Sequence, residues 1–178
     1  MLRRTRLSAA ILAVLLSSFT VQAQATKETD TWMPFQFLIG NWSGVGSGNP
    51  AEAVAGATSF SFELDKRIIL RKNRAEYLPK TARKAPVVHE DLMVIYPEAT
   101  NSKFRAVYFD NEGHVINYTV SAPVNRSALL FESAESNQGM RFRLVYELTA
   151  QGTLATEFYT APPGGDYKLY VRGVLKKD

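Results

Sequence analysis

The chain has 178 residues, 46% hydrophobic and 21% charged, with 11 Gly, 8 Pro and no Cys, the profile of one ordinary globular domain rather than a disordered, collagenous or disulfide-framed chain. The lack of cysteine excludes thiol catalysis, Cys-ligated zinc, iron–sulfur clusters and disulfides, and two histidines leave little room for a His-rich metal centre or a Ser-His-Asp relay. A formal net charge of +4 would ordinarily suggest nucleic acid or an anionic surface as partner, but where that charge sits in the chain removes the suggestion.

Arg3, Arg4 and Arg6 precede the apolar run Ala9 to Leu16, and small residues follow, ending at Val21-Gln22-Ala23 and Ala23-Gln24-Ala25. A basic start, a short apolar stretch and an A-x-A-like end are the marks of a secretory signal peptide, expected over residues 1–25 with cleavage after Ala23 or Ala25. The apolar stretch falls short of the roughly 20 residues needed to cross a bilayer, and no Cys at the junction offers a lipid attachment point. The product is therefore expected to be secreted or periplasmic, with no membrane anchor after cleavage. Removing those three Arg from 21 Lys and Arg leaves 18 against 17 Asp and Glu. The mature net charge is then about +1, and no nucleic-acid partner is expected.

Residues 26–35 read as an N-terminal extension and 36–178 as the folded domain. From Phe37 onward no segment keeps a 3.6-residue apolar period, whereas runs rich in Val, Ile, Tyr, Phe and Thr recur between Gly, Pro, Asn and Asp. Ten strands are predicted, near 36–46, 54–64, 67–77, 87–96, 103–110, 114–121, 124–132, 140–148, 153–160 and 167–176. Long antiparallel strands joined mostly by short turns make a meander, and a meander of this length removes its two open edges most simply by closing. The fold class is all-β, a ten-stranded antiparallel up-and-down β-barrel, with a sandwich as the alternative.

In the first strand, Gly44, Gly46 and Gly48 alternate at strand spacing and introduce no helix, so no phosphate-cradling loop is read there. The basic cluster Lys80, Arg83, Lys84 falls in a loop and reads as solvated. His89 and Asp91, two apart on a strand, point to one face; without a third ligand they make no metal site.

Two hairpins can be put in register, because a three-residue loop ending in Gly supplies the left-handed residue of a bulged turn. Asn111-Glu112-Gly113 sets Asp110 opposite His114, Tyr108 opposite Ile116, Ala106 opposite Tyr118 and Phe104 opposite Val120. Ala150-Gln151-Gly152 sets Leu148 opposite Leu154, Tyr146 opposite Thr156 and Leu144 opposite Phe158. A slip by one residue would mix apolar and polar sets. The lumen is thus expected on the Tyr108, Tyr118, Tyr146 side, mainly apolar with a few hydroxyls. Arg143 and Glu157, on the reverse face, read as a diagonal ion pair.

The tract Phe35 to Gly48 contains Gly40-x-Trp42-x-Gly44-x-Gly46-x-Gly48. It resembles the opening strand of nitrobindin and, more loosely, the Gly-x-Trp start of lipocalins and other calycins; His89 to Pro97, Tyr108 to His114 and Phe158 to Gly164 are similar to tracts of uncharacterised bacterial secreted members of that group. The resemblance implies a calycin-like barrel with Trp42 packed across its floor. Haem-binding nitrobindins hold iron through a histidine near the chain's end, and Tyr167 to Asp178 has none. No cofactor is therefore expected.

The leading functional expectation is a barrel that binds a small, largely apolar molecule in its lumen through Trp42, Tyr108, Tyr118, Tyr146 and Phe158. One alternative is an enzyme at the barrel mouth with His114 as acid and base and Asp110 orienting it, since a carboxylate can hold an imidazole and raise its pKa. Another is a filled barrel acting as an envelope interaction module through the face bearing Val107, Phe109 and Val115.

Overall fold

Ten antiparallel strands follow one another in chain order and close on themselves: β1 (Gly40–Val45), β2 (Ala53–Glu63), β3 (Ile68–Tyr77), β4 (Val87–Pro97), β5 (Phe104–Asp110), β6 (Val115–Ser121), β7 (Ala128–Ser133), β8 (Arg141–Leu148), β9 (Leu154–Ala161) and β10 (Lys168–Lys177). The computed structural model describes residues 31–45, 53–77, 86–99, 103–124, 127–134 and 139–178. The expected signal segment 1–25, residues 26–30 of the extension 26–35, the basic loop cluster, Gly46 and Gly48 lie outside them.

Each strand pairs with its sequence neighbours, and the first pairs with the last, so the meander is a barrel and not a pair of stacked sheets. Both hairpin registers read from turn chemistry are present, with Tyr108 opposite Ile116 and Ala106 opposite Tyr118, and Tyr146 opposite Thr156 and Leu144 opposite Phe158. The turn glycines Gly113 and Gly152 take the positive φ these loops require, +93° and +75°. The barrel closes where β1 meets β10, and at Gly44 the two strands approach closely. A Cβ on Gly44 would stand 2.8 Å from the Val174 carbonyl oxygen and 2.9 Å from Leu175 Cδ2, so this position admits only a hydrogen.

The first strand starts later than its residue pattern implies. Met33–Leu38 forms a 3₁₀ turn with Pro34 at its start, and only from Gly40 does the chain run as strand. Phe35, Phe37 and Ile39 alternate with Gln36 and Leu38 as a strand would, which explains the difference. The turn plugs one end of the barrel. Trp32, Phe35 and Leu38 are buried, and the Trp32 ring meets Phe35, Phe62 and Phe104 at 5.5, 5.8 and 5.2 Å between centroids. Trp42 Nε1 donates to the Leu38 carbonyl at 2.7 Å, tying the plug to β1. Each such aromatic, fully buried, stabilises by roughly 1.5–3 kcal/mol. This end is the floor, and the ends of β5 and β6 joined by Asn111 to Gly113 belong to the mouth.

Above the floor, Phe60, Ile69, Met93, Ile95, Leu129, Phe131, Tyr146 and Leu154 fill the lumen with almost no exposure. On the outer wall Arg143 bonds Glu132, and Arg172 bonds Glu157. These partners are directly opposite on neighbouring strands, where side chains are nearer than on the diagonal that would join Arg143 to Glu157.

Candidate functional site

The inward row of β3 runs Ile69, Arg71, Asn73, Ala75, and that of β4 runs His89, Asp91, Met93, Ile95. The same alternation that buries Ile69, Met93 and Ile95 therefore carries Arg71 and Asp91 into the lumen, where they are 7% and 8% exposed. The next inward residues are apolar toward the floor, Ile69 and Met93, and polar toward the mouth, Asn73 and His89. Arg71 Nη1 donates to Asp91 Oδ1, and Asn73 Nδ2 donates to Asp91 Oδ2 at 2.8 Å. A buried charge is tolerated only when it is paired in this way.

From this pair a chain of polar contacts leads to the rim. His89 Nε2 lies 3.4 Å from Asp91 Oδ2 and 3.0 Å from the Tyr108 hydroxyl. The Tyr108 hydroxyl donates to Asp110 Oδ2 at 3.2 Å, and His114 Nδ1 meets the same oxygen at 2.9 Å. The other His89 nitrogen, Nδ1, lies 3.1 Å from Glu112 Oε1 in the hairpin turn. The hydrogen bond to Asp91 raises His89 to a pKa of about 8; burial opposes it, and Glu112 adds to the rise. Burial pushes Tyr108 far above the ordinary phenol range, with Asp91 and Asp110 adding to it, so Tyr108 is a neutral donor throughout. Tyr118 is raised for the same first reason, against the Arg71 charge. Burial also lifts Tyr146, to about 12, although Arg71 works the other way.

Asp110 is held below the usual carboxylate range. Burial alone would raise it, but the His114 backbone N–H, the His114 imidazole and the Glu112 backbone N–H together prevail. Asp110 Oδ1 accepts both backbone N–H groups, at 2.8 and 3.0 Å. The pairing of Asp110 with His114 foreseen from the turn is thus present, and its two carboxylate oxygens are committed to closing the hairpin and seating Tyr108. His114 itself is exposed at the rim.

The other expected ligand-binding residues divide by depth. Trp42, Tyr118 and Tyr146 are fully buried, whereas Tyr108 and Phe158 are half-buried nearer the mouth. Phe142 stacks on Phe158 at 5.9 Å between centroids, with 9° between planes. A bulge between Leu169 and Val171 places Tyr170 edge-on over Phe158 at 6.2 Å, leaving that tyrosine 72% exposed at the rim. Val107, Phe109 and Val115 lie on the outer wall, the last two exposed.

Arg71 and the depth of Asp91 are the site features that residue patterns did not single out. The run Arg71-Lys72-Asn73-Arg74 looks like a solvated strand edge, and only the parity of Ile69 and Ala75 marks every second member as inward.

A shallow concavity of about 650 Å³ lies over β1 to β5, lined by the inward-row residues Trp42, Thr58, Asn73, Asp91 and Asp110 together with outward ones. Its outward rows are Asn41, Ser59, Lys72, Leu92, Phe109 and Ala57, Arg74, Glu90, and no residue of β6 to β9 contributes.

The residues do not fit haem. On β10 the inward positions are Val171, Gly173 and Leu175, the Tyr167 ring is covered by Arg141 and Arg143 at 5.1 and 3.9 Å, and both nitrogens of inward His89 already face acceptors. Among the described residues no group of three or more His, Asp and Glu is arranged to hold a metal ion, and no helix is long and apolar enough to cross a membrane. No family model and no curated protein matches the chain.

Proposed function

We propose that this chain is a secreted or periplasmic, calycin-like barrel, akin to nitrobindin and the lipocalins, that binds a small and largely apolar molecule in the mouth half of its lumen. One observation carries the reading. The inward aromatic and aliphatic side chains are sealed in the middle of the lumen, as Phe131 and Leu129 are, and half-exposed at its ends; at the floor Phe62 and Phe104 meet the Trp32 ring, whereas at the mouth Phe142, Phe158, Tyr108 and Ile116 keep contact with solvent. An inward apolar wall that keeps contact with solvent is a surface a ligand would cover. The resemblance of the Gly40-x-Trp42-x-Gly44 tract and the signal-like segment 1–25 support the family and the compartment.

Titration with N-phenyl-1-naphthylamine, a neutral apolar fluorophore, tests this. A saturable one-site rise in fluorescence is expected, weakened several-fold by Phe158→Ala and by Tyr118→Ala. Absence of saturable binding, together with no ligand retained in native mass spectrometry, would remove the reading. N-terminal sequencing of protein from an expressing cell's periplasm or medium, starting at residue 24 or 26, tests the compartment.

A further inference from the structure

Two hydrogen-bond donors sit in the lumen without a partner. Arg71 Nη1 is bonded to Asp91, but Arg71 Nε is closed off from solvent and meets no acceptor. The hydroxyl of Tyr146, a side chain with no exposure, likewise meets no partner in hydrogen-bond geometry, although Thr156 and Arg71 stand near enough to favour its ionised form. The Arg71 guanidinium carbon stands 5.6 Å from the centroid of the Tyr146 ring, so the two donors share one location. Leaving a buried donor unmade costs about 1–3 kcal/mol, more when the group is charged, and native structures rarely tolerate it without cause.

The nearby buried carboxylates are already engaged. Asp91 takes Arg71 on one oxygen and Asn73 on the other, with His89 beside it. Asp110 accepts two backbone N–H groups, His114 and Tyr108. Donors in surplus and acceptors in deficit describe what a partner must bring, namely acceptor oxygens. Charge narrows the choice. Within the buried part of the lumen Arg71 and His89 share one carboxylate, Asp91; the second carboxylate that His89 meets, Glu112, is exposed at the rim, and both His89 nitrogens point only at acceptors, as an imidazolium requires. An anionic head group balances this excess where a neutral carbonyl would not.

Resting on the reading of the lumen as a binding site, we propose that Arg71 and Tyr146 form a head-group subsite for a monocarboxylate. Its oxygens accept from Arg71 Nε and the Tyr146 hydroxyl, and its apolar body runs toward Phe142 and Phe158. Both donor atoms are covered by packed side chains, so the seat opens through rotamer changes driven by the carboxylate's better interaction with the open arrangement.

Calorimetric titration of the mature protein with decanoate and with decan-1-ol, at pH 7, separates the possibilities. Decanoate is expected to bind at least about tenfold more tightly, the scale of one or two charge-assisted hydrogen bonds. Tyr146→Phe removes only the unpaired hydroxyl; it should fold with undiminished stability and lower the preference about threefold. The double variant Arg71→Met with Asp91→Leu removes both charges together and should bring the two ligands within about twofold. Equal binding of decanoate and decanol by the wild type, or a carboxylate preference unchanged in both variants, overturns the subsite while leaving the apolar lumen standing. Binding of N-phenyl-1-naphthylamine without decanoate does the same. Failure of all three molecules to bind overturns the lumen reading and this subsite with it.

Discussion

His89 Nε2 lies 3.0 Å from the oxygen of Tyr108, whose own proton is donated to Asp110. That oxygen is therefore an acceptor toward His89, as are Asp91 on the same side and Glu112 at the other ring nitrogen. A ring that faces acceptors from both nitrogens is most stable when doubly protonated, and as a cation it ties β4 to the turn after β5.

The consequence for pH follows from the direction of the shift. The folded-state pKa is about 8 against an ordinary 6.5, so the stabilisation is fully present below pH 6.5 and is lost as pH rises through about 8. Partial solvent contact screens the interaction, and about 1 kcal/mol is the expected size. Urea unfolding between pH 6 and 9.5 should show the wild type losing about that much more than His89→Gln. Parallel curves for the two proteins would show that His89 carries no such linkage.

The buried ion pair gives a non-additive prediction. Arg71→Met leaves the Asp91 carboxylate in the lumen beside Asn73 and His89 with its strongest partner gone, and should cost about 3–5 kcal/mol. Removing both charges as Arg71→Met with Asp91→Leu should recover most of that, because replacing a buried pair with apolar side chains of similar volume is often nearly neutral. Denaturant midpoints of the two singles and the double make the cycle. A double variant as unstable as the sum of its singles would mean the pair is not the unit described.

Glycines at two places in the barrel should respond differently to one added methyl. At Gly44 the Cβ meets backbone and side chain of β10 at under 3 Å, so Gly44→Ala should push the seam apart at a cost of about 1–3 kcal/mol. At Gly113 nothing lies within 4 Å of the added carbon. There the penalty comes only from φ +93°, and about 1 kcal/mol is expected. Hydrogen exchange at β1 amides should accelerate for the first variant alone.

The barrel was legible because antiparallel meanders advertise themselves through local signals. Asn111-Glu112-Gly113 and Ala150-Gln151-Gly152 each fix a hairpin register, and register then decides that Tyr108, Tyr118, Tyr146 and Phe158 share the inner face. Closure brought β1 against β10, a pairing of distant segments that no local pattern reports. The polar heart of the lumen was harder to read. Arg71 lies in a charged run whose exposed members Lys72 and Arg74 look the same, and its burial depends on Asp91 arriving from another strand. The floor was hidden for a different reason, since Phe35-Gln36-Phe37-Leu38 carries a strand's alternation while Pro34 starts a 3₁₀ turn.

That floor rests on one indole. The Trp32 ring packs against three phenylalanines, and its Nε1 donates at 2.7 Å to the carbonyl of Lys66. Lys66 ends three consecutive residues, Leu64, Asp65 and Lys66, with φ of 50°, 53° and 61°. Such backbone costs roughly 1–2 kcal/mol per residue without glycine, and persists only where its surroundings hold it. Trp32→Ala should lose the ring contacts and free this turn, costing about 3–5 kcal/mol, whereas Trp32→Phe should keep much of the packing but release the turn. Asp65→Gly in the wild type should stabilise by up to about 1 kcal/mol, because glycine accepts the same φ without a Cβ clash. Thermal unfolding of the three variants checks the order, and a destabilised Asp65→Gly would mean that the turn is held by its side chains rather than strained against them.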